Sequence, residues 1–176
     1  VGATASNGKY YPADRVICNG DPPTVYRQMM PAKHANGKRL MPDRLTQYSM
    51  GLFVLFFGTK KRFDNIAHHT IWMGPRYKEL LADIFNRKIL ADDFSLYLHR
   101  PTATDESFAP DGCDSFYVLC PVPNLRASIN WDKSGPQLQD RIIKALADTI
   151  LPDLEKVISD PFYMTPEDFK NDYRSM

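Results

Sequence analysis

The stretch that decides the fold is residues 48–125, YSMGLFVLFFGTKKRFDNIAHHTIWMGPRYKELLADIFNRKILADDFSLYLHRPTATDESFAPDGCDSFYVLCPVPNL. At its head, Leu52-Phe53-Val54-Leu55-Phe56-Phe57 is apolar at every position. Successive side chains of a strand point to opposite faces, so this run predicts a central strand covered on both sides. Gly58 ends it, and Lys60-Lys61-Arg62 reads as a charged turn. A second strand is predicted over His69–Met73, broken by Gly74-Pro75. The helix that follows reaches about Arg87, with Tyr77, Leu80, Leu81, Ile84 and Phe85 as one apolar stripe. Phe94–Leu98 alternates like a half-buried strand. Turn residues fill 101–112 and close on Pro110-Asp111-Gly112. Phe116–Val122 is a further strand, which Pro121 and Pro123 place at a sheet edge.

Upstream, Lys9–Tyr11 and Arg15–Cys18 read as two short β-runs around Pro12-Ala13-Asp14, a pair that needs a larger sheet to join. Asp21 is placed to cap a helix with Pro22 at its first position, continuing over Thr24–Met30. Residues 31–44 form a basic loop, with Lys33, Lys38, Arg39 and Arg44 against Asp43. Downstream, Leu138, Ile142, Leu146, Ile150, Leu154 and Ile158 repeat every fourth residue. They predict a helix over 136–160, capped by Ser134 and kinked or split at Pro152. Thr165-Pro166-Glu167-Asp168 is a strong helix start. Together these elements give an α+β fold, an α/β sandwich: a mixed, largely antiparallel sheet covered by helices.

With 176 residues, 43% of them apolar, the chain can bury a core and is not a disordered segment. Its net charge of +1 argues against nucleic acid as a partner. No apolar run reaches the roughly 18–20 residues of a membrane-spanning helix. Val1–Gly8 is small and polar, with no signal-peptide core. Three cysteines without CxxC spacing fit a reduced, cytoplasmic compartment. They read as packing residues, with Cys113 the candidate for a reactive thiol in its loop.

The chemistry-bearing motifs are sparse. His68 and His69, as neighbours on a strand, should face opposite ways, so no metal ligand is assigned. His34 and His99 show no partner. Asp92-Asp93 and Asp111 are the candidate general bases, with Asp105-Glu106 behind them, but all are acids of turns, a sufficient reason for their presence, and no catalytic residue is assigned. No GxSxG elbow, P-loop or GxGxxG fingerprint occurs, which removes support for hydrolase and NTPase readings. The aromatics Phe53, Phe56, Phe57, Trp72, Phe94, Tyr97, Phe116 and Tyr117 are core material, although one face of such a sheet can line an apolar cavity. The cations of 33–44 and of Lys60-Lys61-Arg62 read as solvated, with anionic lipid as the alternative.

The strings LFVLFFG (52–58), AHHTIWMGPRYKELL (67–81), ADDFSLYLHR (91–100) and the segment 108–125 resemble bacterial-type phytoene desaturases, as do GPQLQDRI and MTPEDF in the tail. Arg15–Asp21 resembles the crossing from the flavin sheet of that class into its substrate domain, with Gly20 where alanine is usual. The resemblance implies a fragment of a larger FAD-binding, amine-oxidase-like flavoprotein. Residues 1–31 would cross from its FAD domain, 32–47 form a basic loop, 48–164 form the substrate-binding sheet and helices, and 165–176 lead back. It further implies an apolar carotenoid substrate, hydride transfer to FAD, quinone or oxygen as electron acceptor, and a peripheral place on the membrane. FAD is not expected to bind this segment alone. The residues expected to line the tunnel are Phe53, Leu55, Phe57, Leu96, Leu98, Tyr117 and Leu119. Two other readings stand beside this one: a related carotenoid isomerase or desaturase, and a non-enzymatic module for apolar ligands or membrane docking.

Overall fold

The pair Asn7-Gly8 sets the first turn of the chain. Gly8 has φ +83°, a left-handed value that favours glycine, and the Asn7 Oδ1 accepts from the Lys9 N–H at 3.0 Å. The flanking strands β1 (Gly2–Thr4) and β2 (Tyr10–Pro12) pair antiparallel, with Gly2 opposite Pro12. The hairpin therefore closes ahead of Lys9. Residues 15–18, expected as its second strand, form none, and Ile17 is exposed. The computed structural model describes residues 1–35, 42 and 45–175, which divide into the units Val1–Thr46 and Gln47–Arg174. Helix α1 (Pro22–Thr24) has Pro at its start and runs into a π-turn, Val25–Met29. Asp21 occupies the cap position but makes no side-chain cap bond, and burial raises its carboxyl pKa. Ala32–His34 form a 3-10 turn, whereas Lys38, Arg39, Asp43 and Arg44 of the basic loop lie outside the described residues.

In the second unit, β3 (Gly51–Thr59) and β4 (His69–Trp72) precede α2 (Tyr77–Ala82), which continues as a π-turn over Asp83–Arg87. Next come β5 (Leu96–His99), β6 (Asp114–Val122), α3 (Trp131–Ala147), α4 (Leu154–Val157), β7 (Ile158–Met164) and α5 (Pro166–Tyr173). The strand order is β4-β5-β6-β3-β7 and every ladder is antiparallel, so the expected mixed character is absent among the described residues. The α+β class stands.

The register sorts the side chains. Phe53, Leu55 and Phe57 lie opposite Cys120, Val118 and Phe116, and Leu98 lies opposite Val118, so these residues share one face. Onto it pack Leu138, Ile142 and Leu146 of α3, with Trp131, Leu151 and Leu154. Phe53 stacks on Tyr163 and on Trp131, with ring centroids 5.0 and 6.2 Å away. Each such fully buried side chain stabilises the unit by about 1.5–3 kcal/mol.

Three expectations are corrected here. Strand β6 lies between β5 and β3, not at an edge. Pro121 is tolerated because β5 reaches only to Leu119, so its missing N–H breaks no ladder bond on that side. Helix α3 starts at Trp131 with Asn130 as its cap, whose side chain accepts from the Lys133 N–H at 3.2 Å, so Ser134 is already helical. The helical stripe is split, as Pro152 predicts, but it does not run on to residue 160. The chain breaks after Ala147, Pro152 stands in the break, and Asp153 takes a left-handed φ of 65°. Ile158 opens β7, a strand hidden because Ile158 also completes the four-residue helical stripe. There β3 and β7 shift register between Phe56 and Gly58, and Asp160 has φ 48°, marking a bulge. At α5 the sequence reading holds in full: Thr165 and Asp168 form a reciprocal capping box.

Candidate functional site

The other face of the sheet is equally apolar but less covered. Ile71 is 62% exposed and Phe162 57%. Phe56, Tyr97, Tyr117, Leu119 and Met164 are half-buried, and Val54 is buried. The pairings Val54–Leu119, Phe56–Tyr117, Phe56–Phe162, Tyr97–Leu119 and His69–His99 place all of them on one side. Their rings form a continuous band across the strands. Phe162 stacks on Phe56 at 4.8 Å, and Phe56 meets Tyr117 edge-on at 5.3 Å. Tyr117 meets Tyr97 at 6.2 Å and His99 at 6.3 Å, and Tyr97 stacks on His69 at 5.8 Å. One aromatic ring from each of five strands, spaced at the interstrand distance, makes a row about 19 Å long. Aromatic pairs at these separations each contribute about 0.5–1.5 kcal/mol beyond burial.

The band ends in a histidine cluster. His68 precedes β4, so its ring is free of the strand's alternation and turns to the side of His69, which corrects the expectation that the two part. The His68 and His99 Nε2 atoms are 2.8 Å apart. His68 Nδ1 lies 2.7 Å from Thr104 Oγ1, and His69 Nδ1 lies 2.7 Å from the Tyr97 hydroxyl. Burial, and then the neighbouring His68 and His69, push His99 below the usual histidine range, favouring its neutral form. Burial likewise raises the Tyr117 phenol, with Tyr97 adding to it.

Behind the band, Arg100 and Asp114 form a buried node that fixes the β3–β4 connection. Arg100 Nε donates to Asp114 Oδ1 at 3.1 Å, Thr102 Oγ1 donates to the same oxygen at 2.6 Å, and the Phe63 N–H donates to Oδ2 at 2.7 Å. Arg100 also donates to the Phe63 and Ile66 carbonyls and to Asp64. The node anchors the segment immediately before His68.

The seven residues expected to line a tunnel fall on two faces. Phe53, Leu55, Phe57, Leu96 and Leu98 are buried in the helix-packed core, whereas Tyr117 and Leu119 lie on the aromatic face with Val54, Phe56, Tyr97 and Phe162. Asp92, Asp93 and Asp105 have structural partners. Asp92 pairs with Arg141 at 3.2 Å, Asp93 with Arg76, and Asp105 caps a 3-10 turn through the Ser107 N–H. In the basic turn, Lys61 donates to the Pro152 carbonyl at 2.9 Å, and Arg62 pairs with Asp64 and Glu106. Those two cations are therefore engaged within the protein. The exposed thiol is Cys18, with Cys113 half-buried and Cys120 buried.

The fold and site thus define an α+β unit with one helix-packed face and one aromatic face partly open. No protein-family profile matches the chain. Among curated proteins it is 42% identical over 165 residues to the lycopene-forming phytoene desaturase of Pseudescherichia vulneris, covering 93% of this chain and 34% of that protein. It is 38% identical over 182 residues to the neurosporene-forming phytoene desaturase of Rhodobacter capsulatus, covering 99% and 34%. To the zeta-carotene-forming phytoene desaturase of Myxococcus xanthus it is 34% identical over 169 residues, covering 96% and 32%. The chain is homologous to the phytoene desaturases and spans about a third of the length of these relatives.

Proposed function

We propose that the chain supplies the substrate wall of a phytoene desaturase, an oxidoreductase of carotenoid biosynthesis. The observation that carries this is the aromatic face. A polyene hydrocarbon offers nothing to hydrogen-bond, so it is selected by shape and apolar lining, which Val54, Phe56, Tyr97, Tyr117, Leu119 and Phe162 provide. The Tyr97 hydroxyl is occupied by His69, which leaves its ring as an apolar surface. An unpaired polar atom there would cost about 1–3 kcal/mol. In this reading Phe53, Leu55, Phe57, Leu96 and Leu98 hold the wall in shape from behind.

Phytoene desaturases are FAD-dependent flavoproteins. The residues present do not fit that cofactor: no parallel strand–helix–strand unit occurs among the described residues, and the sequence carries no glycine-rich phosphate loop. This segment's part is to bind and orient the hydrocarbon and to exclude water. A peripheral membrane location, and quinone or oxygen as electron acceptor, belong to the same proposal because the substrate dissolves in lipid. The relatives' names include three different products, and in this proposal the wall is where the number of desaturation steps is set.

The test is a chimera in which this chain replaces the homologous third of the Pseudescherichia vulneris desaturase, assayed for products from phytoene. Leu119→Trp and Val54→Trp, which add bulk to the aromatic face, are expected to slow turnover or stop it at less unsaturated products. An active chimera whose rate and product pattern ignore both changes would overturn the reading.

A further inference from the structure

We propose that His68, His69 and His99 form a binding site for a divalent transition cation of the zinc class. This site stands independently of the desaturase reading. One ring nitrogen from each histidine lies within 4.8 Å of the others, and this grouping is found among the described residues without a carboxylate in it. An all-imidazole set suits zinc, cobalt, nickel or copper and does not suit magnesium or calcium, which prefer oxygen.

The hydrogen bonds around the cluster prepare it for a metal. Thr104 Oγ1 lies 3.2 Å from the Pro101 carbonyl, which can only accept, so the hydroxyl proton points there. The hydroxyl lone pair then accepts from His68 Nδ1–H at 2.7 Å. That bond fixes His68 as the tautomer whose Nε2 carries the lone pair and faces His99. His69 Nδ1 lies 2.7 Å from the Tyr97 hydroxyl, and when it donates its Nδ1–H there, its Nε2 carries the lone pair a cation needs. Two of the three rings thus have one nitrogen tied to a hydroxyl and the other free, the outer-shell arrangement that orients metal-binding histidines.

Without a cation, the 2.8 Å approach of the two Nε2 atoms requires His99 to donate its Nε2–H to His68. On binding, the metal replaces that proton, and His99 becomes the Nδ1–H tautomer, so the ring stays neutral. Tetrahedral zinc with nitrogen ligands needs nitrogens about 3.4 Å apart. Small ring rotations reach this, because His69 is exposed and His68 sits in a connecting segment. Three protein ligands leave the fourth position to water.

The test uses the 176-residue chain with Zn²⁺ followed by calorimetry and Co²⁺ followed by its visible d–d bands. The expected result is one saturable equivalent per chain with a tetrahedral cobalt spectrum. His99→Ala and His68→Ala should each weaken binding at least tenfold, and Thr104→Val about 10- to 100-fold through loss of the orienting bond. His34→Ala, a histidine that is not one of the three grouped rings, should leave binding unchanged. Circular dichroism of each variant separates lost ligation from lost folding. No saturable equivalent, or affinity unmoved in a folded His99→Ala or His68→Ala variant, would overturn the proposal.

Discussion

Replacing Arg100 by methionine tests the buried node directly. The substitution keeps most of the side-chain volume and deletes the donors to Asp114, to Asp64 and to the carbonyls of Phe63 and Ile66. Asp114, with a fully buried side chain, keeps only Thr102 and the Phe63 N–H. Removing one partner of a buried ion pair costs about 3–5 kcal/mol, because the remaining charge is left without its counterion. The two retained donors place the expected loss near the lower bound, at about 3 kcal/mol. With a urea dependence of about 1–3 kcal/mol per molar, the unfolding midpoint should fall by about 1–3 M. Fluorescence of Trp72 and Trp131 reports it, since both pack on the core. Adding Asp114→Leu to Arg100→Met removes the stranded charge and should recover part of the loss. A drop under about 1 kcal/mol, the range of exposed pairs, would refute the assignment of Arg100 as a buried anchor.

At Gly74, a Cβ would stand 2.2 Å from the Phe94 carbonyl oxygen, so Gly74→Ala should destabilise the unit by about 1–3 kcal/mol, measured by urea unfolding. The Arg87 and Arg76 partners hold the Asp83 carboxyl below its usual range, Arg87 contributing most. Its stabilising effect is therefore present above the unfolded pKa of about 3.9 and fades as pH drops through the lower folded value. Unfolding curves of wild type and Asp83→Asn should differ at pH 6 and converge in strong acid. Burial pushes the Cys120 thiol up to about 12, so a disulfide reagent at mildly alkaline pH should label Cys18 in the native protein and reach Cys120 only on unfolding. Because the folded value is the higher one, the Cys120 contribution falls as pH rises from about 8.5, its unfolded value, toward 12.

The sequence was most readable where one local rule governs. The five-element order from β3 to β6 followed from apolar runs and the Gly74-Pro75 break, and α5 from its capping box. It was misleading where tertiary pairing overrides a local pattern. Ile158 continues a helical stripe yet opens a strand, because β3 offers an edge to pair with and a bulge at Asp160 accommodates the pairing. Pro121 suggests an edge but lies in an inner strand where a neighbour has run out. The Asn7-Gly8 signal was present and prevails over the turn read at Pro12-Ala13-Asp14. For the site, the apolar composition of both faces was visible, but the division between them required register. Only pairing shows that Phe56, Tyr117, Tyr97 and Phe162 form one row while Phe53 and Leu98 turn inward. The histidine cluster depended on His68 lying just outside β4, a boundary of one residue.

The bulge in β7 has a consequence for solubility. A straight outer strand offers unsatisfied amides and carbonyls on which another molecule can build. At this rim Pro161 has no N–H to offer and Asp160 bends the backbone out of line. Molecules of this chain that collide here therefore meet a gap where a ladder would need to continue, which limits growth of the sheet into aggregates from that side.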